Sequence, residues 1–301
     1  MIHQLFFGSK SAAGQITFTT PDNSTSSSVF SWVVPSNVTT ISAVVVGGGG
    51  CGALMNPNAY PNKAAPGGTG GGLSYRNNIP VTPGETLTIS PGIGGYYNVG
   101  SYNGGASYIM RGGTILVRAE GGTSAISSSP NAILSGGLGG ASPADGGGSG
   151  GDWTTIPGQN TRALGGGAGA GGYSSNGGDG GVDATNAGAP GAGYPNSGAG
   201  GGGYASLSLG AGGGGVGLQG KGSDGVAGSV SSPGGGGGSG GGDGKTSQLS
   251  NTMYEPTGGL YGGGGFGRLQ GTGNAGAGGK GAVRIIWGPN RAFPSTNTAD
   301  V

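Results

Sequence analysis

FSWVVPSNVTTISAVVVGGGG, residues 30–50, changes character at one point. Up to Val46 it is strand sequence. Apolar residues alternate at Phe30, Trp32 and Val34, Pro35 to Asn37 read as a turn, and a β-branched run follows from Thr39 to Val46. After Val46 the side chains stop. Glycine loses more conformational freedom on folding than any other residue, so a glycine run fused to a strand needs its own explanation.

Three other stretches carry strand signals. Asn78 to Ser90, NIPVTPGETLTIS, is split by a Pro83-Gly84 turn. Ser107 to Gly122, SYIMRGGTILVRAEGG, reads as a hairpin turning at Gly112-Gly113. The last, AVRIIWG from Ala282 to Gly288, follows a long interval without a strand signal. An isolated strand is not stable alone, so Ala282 to Trp287 is expected to pair with the N-terminal strands. The chain then divides into an attachment segment at 1–29, an all-β base at 30–120 plus 282–288, a glycine-rich insertion at 121–281 and a tail at 289–301.

Gly supplies 84 of the 301 residues and Pro 17. Such a fraction without a strict period ordinarily means low complexity or disorder. Disorder also goes with high net charge, whereas 12 basic residues here face 11 acidic ones, formally +1. This balance leaves no electrostatic footprint for nucleic acid or an anionic membrane surface. The start, MIHQLFFGSKSA, lacks a secretory pattern, and no stretch is apolar enough to span a bilayer. Synthesis in the cytoplasm is the expectation, and the single Cys51 fits it.

The insertion repeats glycine runs, among them GGGAGAGG at 165–172, GAGGGG at 198–203, GAGGGGVG at 210–217, GGGGGSGGG at 234–242 and GAGGKG at 276–281. Extended helices of three residues per turn can pack side by side when the touching faces are glycine, each donating N–H to a neighbour's C=O. The strict triplet period of collagen is missing. A flexible linker is the competing reading. Against it stand the return to a core strand, the turn-forming segments between runs, and the scattered Trp153, Tyr173, Tyr204, Tyr261 and Phe266. The fold class expected is therefore an all-β base, a small sandwich, carrying an inserted bundle of polyglycine II helices, with essentially no α-helix. Trp32, Val46 and Trp287 are expected to hold the base, and Gly213 to lie mid-bundle.

Catalytic chemistry has little to work with. One histidine, His3, and one cysteine exclude a transition-metal cluster and a Cys-His or Ser-His pair away from the N-terminus. G-x-S-x-G occurs at 147–151 and 237–241 without the strand and helix a nucleophile elbow needs. SGGGDGKT, Ser239 to Thr246, resembles a phosphate loop, again with no strand leading in. GGDGGVD, Gly177 to Asp183, hints at a calcium repeat with no tandem copy. Asp145, Asp152, Asp179, Asp183, Asp224 and Asp243 are expected to solvate turns, a calcium ion held by two of them being the alternative. No enzyme activity, cofactor or metal is expected.

Binding candidates are the segments rich in Tyr and Asn: Met55 to Lys63, Gly94 to Gly105, Gly150 to Asn160, Ala187 to Gly198 and Asn251 to Gly263. Tyr and Trp give contact area at low entropic cost, and Asn, Ser and Gly give adaptable hydrogen bonds. The candidate contact residues are Tyr60, Tyr96, Tyr97, Tyr102, Trp153, Tyr194 and Tyr254. The alternative for each is a cap that packs on glycine faces at the bundle ends.

FSWVVPSNVTTISAVVVGGGGCG, GGTGGGLSYRNNIPVTPGETLTISPGIGG and the closing GAGGKGAVRIIWG together resemble the glycine-rich domain of bacteriophage tail-fibre proteins. The likeness extends to the polyglycine-sandwich adhesins of T-even-like phages, which read host surfaces through loops at one end. Those adhesins carry a sizeable N-terminal attachment domain, whereas a short segment precedes the first matching strand here. The resemblance implies a virion protein that binds an outer-membrane protein or surface polysaccharide, docks on other virion proteins, and is arrayed by virion symmetry without membrane insertion. A purely structural virion role in baseplate, neck or capsid decoration is the alternative, and an ice-binding bundle a minor one.

Overall fold

The computed structural model describes residues 13–21, 26–56, 58, 64–97, 102–124, 133–154, 164–181, 192–193, 195–206, 209–246, 257–269, 274–295 and 297–298. Among them there is no α-helix, and the strands are β1 (Gly14–Thr19), β2 (Phe30–Val33), β3 (Thr40–Val46), β4 (Leu54–Met55), β5 (Leu73–Pro80), β6 (Thr86–Ser90), β7 (Ser107–Arg111), β8 (Thr114–Ala119), β9 (Ile133–Leu134), β10 (Gly146–Gly148), β11 (Trp153–Thr154), β12 (Arg268–Leu269) and β13 (Ala282–Trp287). They form an antiparallel five-stranded sheet, β1-β13-β3-β5-β10, an antiparallel four-stranded sheet, β2-β6-β7-β8, and two short pairs, β9/β11 and β4/β12.

The C-terminal strand returns to the middle of the larger sheet, as expected, with Ala282 opposite Val46 and Ile286 opposite Ser42. Several features depart from the sequence reading: the short strands β9, β11 and β12 lie within 121–281, where no strand is expected, and segments 47–53, 65–72, 91–95 and 102–105, assigned to the base, lie outside the strands. Gly14–Thr19, assigned to the attachment segment, is an edge strand paired residue for residue with β13. Its alternation, Ile16 then Phe18, is too short to stand out, yet both residues pack on the core. Gly146–Gly148 lies where no strand signal exists, because three glycines have no side chains to alternate; it pairs with Leu73–Tyr75.

The sheets close on each other through alternate side chains. Ile41, Ala43 and Val45 of β3 and Val283 and Ile285 of β13 meet Trp32, Leu87, Ile89, Ile109 and Val117 of the smaller sheet. Trp32, expected to be structural, is 8% exposed, and its ring centroid lies 5.8 Å from that of Trp287. Each large aliphatic side chain buried here contributes about 1.5–3 kcal/mol.

Beyond the strands the chain runs as short segments, or rods, held by backbone hydrogen bonds outside the named strands. In rod 47–53 the donors step through three neighbours: Gly47 and Gly50 donate to Gly72 and Thr69, Gly48 and Cys51 to Gly105 and Tyr102, Gly49 and Gly52 to Gly279 and Gly276. The direction thus repeats every three residues. It receives in turn from Gly95, Gly122 and Gly265, so six rods surround it: 65–72, 261–267, 274–281, 91–95, 102–105 and 120–124. Rod 164–172 behaves alike, with donors at 165, 168 and 171 reaching 65, 68 and 71, and those at 166, 169 and 172 reaching 181, 178 and 175. The result is a hexagonal array of rods running in both directions.

Close approach is why these positions are glycine. A Cβ built on Gly49 would sit 2.0 Å from the Gly263 carbonyl oxygen, and one on Gly70 would sit 1.9 Å from that of Gly169. The larger sheet turns its other face to this array. Val44, Val46, Leu73, Ala282 and Ile286 pack with Ala170, Tyr173, Val216, Leu218 and Phe293 in a second core. The tail belongs to it: Phe293 is 3% exposed and stacks on Tyr173 with centroids 6.1 Å apart.

Candidate functional site

Strands fix one end of the array. β3, β6 and β8 run directly into rods 47–53, 91–95 and 120–124, while rods 65–72, 102–105 and 274–281 run directly into β5, β7 and β13. Along the rest of the chain, the turns at 140–145, 173–175, 195–198, 218–222, 239–240 and 260–262 come back to that strand end. Leu54–Met55, Tyr96, Tyr97, Tyr102, Trp153, Ser206, the turn 229–232 and Arg268–Leu269 lie at the opposite, far end. Small ties close that end: β9 on β11, β4 on β12, and bridges from Leu164 to Ala65 and Ser206.

The candidate residues separate by depth. Tyr97 and Tyr102 are half-buried at the far end, ring centroids 5.8 Å apart and planes at 65°, an edge-on corner. Burial, then the neighbouring Tyr102 and Cys51, pushes the Tyr97 hydroxyl above the ordinary tyrosine range. Beside them the Tyr102 carbonyl accepts from the Cys51 amide, and Asn103 Oδ1 accepts from the Ser124 amide at 2.9 Å. Cys51 is fully buried with Sγ 3.4 Å from Ser124 Oγ, and burial raises its thiol to about 11, which keeps it protonated and unreactive.

Two candidates need correction. Tyr96 is 4% exposed and Trp153 0%, so neither ring offers surface to a partner. Tyr96 is buried where its neighbour Tyr97 is half-buried, and Trp153 lies against rod 175–181, its Cδ1 3.0 Å from where a Cβ on Gly180 would be. The contact of Trp153 with Gly180 is of the kind a cap on a glycine face would make. Tyr60, Tyr194 and Tyr254 lie outside the described residues. Val46 is fully buried in the second core, and Gly213 sits in rod 210–217, bonded to Gly264 and Gly259.

The misleading motifs acquire structural roles. Ser149 of the first G-x-S-x-G lies in a rod, its amide donating to Asn176 Oδ1 at 3.0 Å. Ser239 of the second occupies a turn with φ 51° and donates its hydroxyl to the Gly198 carbonyl at 2.9 Å. In the phosphate-loop look-alike, the amides of Gly241, Gly242, Gly244 and Lys245 donate to carbonyls of Gly238, Leu260, Gly235 and Thr257. They are occupied by neighbouring backbone. Among the described residues no group of three or more His, Cys, Asp or Glu side chains converges as a metal site would require.

The acids act on backbone amides. Asp224 accepts from Asn196, Ser197 and Gly198 at 2.6, 2.8 and 2.6 Å. Burial opposes its ionisation, but these donors outweigh that and hold its carboxyl below the usual range. Asp179 accepts from the Asp152 amide at 2.9 Å. Its carboxyl is raised, first by burial, with the Asp152 amide opposing and the Asp152 charge adding.

An antiparallel sandwich whose strands continue into stacked glycine rods defines an all-β scaffold with connecting segments at both ends of the rods. The chain belongs to the glycine-rich domain family, whose model matches residues 24–206, more than half of its 301 residues. No curated protein matches it. The family match ends at Ser206, at the far end of a rod, yet rods 210–217 and 261–267 beyond it complete the shell around rod 164–172.

Proposed function

We propose that this chain is a non-catalytic phage virion protein of the tail-fibre or adhesin type, whose far-end segments bind a host-surface receptor. The glycine rods are, on this reading, polyglycine II helices, which is what a three-residue repeat of bond direction favours. The observation that carries the proposal is the gathering of Tyr97, Tyr102 and the other far-end segments opposite the strands, on a scaffold stiffened by hydrogen bonds in every direction. Recognition residues commonly sit on loops held by such scaffolds. The ligand is an outer-membrane protein or a surface polysaccharide, and several copies in one particle raise the effective affinity. Burial of Tyr96 and Trp153 favours a second reading, a purely structural virion component in which aromatics serve packing.

Tyr97→Ala/Tyr102→Ala separates the two. Both rings are partly exposed, so the variant is expected to keep its melting temperature within a few degrees while binding to host outer-membrane vesicles falls about tenfold or more. Undiminished vesicle binding by the folded variant would leave only the structural role.

A further inference from the structure

A rod inside the array spends its N–H groups on neighbouring carbonyls, whereas a rod at the rim has positions that face outward. These recur every third residue. Along rods 148–152 and 175–181 the outward positions are Ser149, Asp152, Asn176 and Asp179, and the residues between them, Gly150, Gly151, Gly177 and Gly178, are buried glycines.

The outward side chains do one consistent thing. Asn176 Oδ1 accepts from the Ser149 amide at 3.0 Å, Asp179 Oδ1 from the Asp152 amide at 2.9 Å, and Asp152 Oδ1 from the Gly136 amide at 2.8 Å. Three successive rim rods, 135–139, 148–152 and 175–181, are thus stitched together, each amide closed by a side chain of the next rod. The device recurs elsewhere on the rim, where Asn103 Oδ1 takes the Ser124 amide and Asp243 Oδ1 the Gly237 amide at 2.7 Å. Uncapped, such amides flanked by glycine would offer the same template that an open strand edge offers another chain.

We propose that Asp152, Asn176 and Asp179 are rim caps that stop the array from growing sideways, and that the partner they exclude is the glycine rim of a second copy of this chain. The caps satisfy the amides and also interpose a side chain where another rod would have to touch backbone. A glycine at the same position does neither.

The test compares two variants by sedimentation in parallel with amide exchange. Asp152→Gly/Asn176→Gly/Asp179→Gly removes the caps; Asp152→Asn/Asp179→Asn removes the charges and keeps the acceptor oxygens. The glycine variant is expected to form concentration-dependent species of at least about twice the wild-type mass, with protection of rod 164–172 unchanged. The asparagine variant is expected to sediment as wild type. The proposal is overturned if the glycine variant keeps the wild-type mass, if the asparagine variant assembles as well, which would make lost charge the cause, or if assembly comes with lost protection in rod 164–172, which would make unfolding the cause.

Discussion

Gly213→Val is expected to destabilise the protein by about 4 kcal/mol or more, enough to consume much of the stability of an ordinary domain. Gly213 lies in a rod surrounded on all sides. A Cβ there would be 2.0 Å from the Ala168 carbonyl oxygen, 2.3 Å from its carbon and 2.8 Å from the Gly169 nitrogen. All three are backbone atoms, so no rotamer change relieves the clash. Separating the rods breaks the bonds from Gly213 to Gly264 and from Gly259 to Gly213, each worth about 1 kcal/mol net and more if the freed groups stay dry. Ser223→Val serves as control, because Ser223 is exposed on a rim rod where Val226 is already 70% exposed. Its effect is expected within about 0.5 kcal/mol. Chemical denaturation of both variants measures the difference.

Arg284→Met is the second large effect, at about 3 kcal/mol. Arg284 is 2% exposed on β13 and joins parts of the chain far apart in sequence. Its guanidinium donates to the Leu218 carbonyl at 3.0 Å, to Gln15 Oε1 at 2.6 Å and to the Thr298 carbonyl. Arg291 shares the last two acceptors and adds the Gly14 carbonyl at 2.6 Å. A turn of the array, the N-terminal edge strand and the tail therefore converge on two guanidiniums. Methionine fills similar volume but leaves these acceptors short of a charged donor. Limited proteolysis is expected to cut the tail after Pro289 well before the wild type is touched. Equal protection of the tail in both proteins would show that Phe293 and its stacking on Tyr173 suffice to hold it.

Where side chains alternate, the fold was legible. The turn at Pro35 to Asn37, strand β3, the hairpin of β7 and β8, and the pairing of AVRIIW with the N-terminal strands all follow from pattern, because burial of one face leaves a period of two. Gly146–Gly148 shows the limit: it is a strand with nothing to alternate. The array obeys the same limit. Glycine runs announce close packing but not which run touches which, since the neighbours are chosen by backbone direction and turn length. A triplet cue exists at the rim, where Ser149-Gly-Gly-Asp152 and Asn176-Gly-Gly-Asp179 place a polar residue at each outward position. The second overlaps GGDGGVD, whose Asp179 is expected from sequence to solvate a turn; its carboxylate accepts from the Asp152 amide instead.

The candidate site was legible by segment and not by residue. Tyr96 and Tyr97 are adjacent and of one type, yet the first is buried and the second half-buried. Trp153 stands in a segment whose composition suggests a recognition loop, and β11 draws it under the rods by pairing with β9. Depth depends on the neighbouring rods, which composition does not encode.

Glycine backbone, bonded to itself in a hexagonal array, forms a rigid body between the sandwich and the far end. Native-state amide exchange across residues 165–172 and 211–217 tests this most directly, since these rods are enclosed and should open only with the larger structure. Protection there is expected to approach that of Val44–Val46 in β3. Exchange at the rate of an unstructured peptide in those two rods, with β3 still protected, would contradict it.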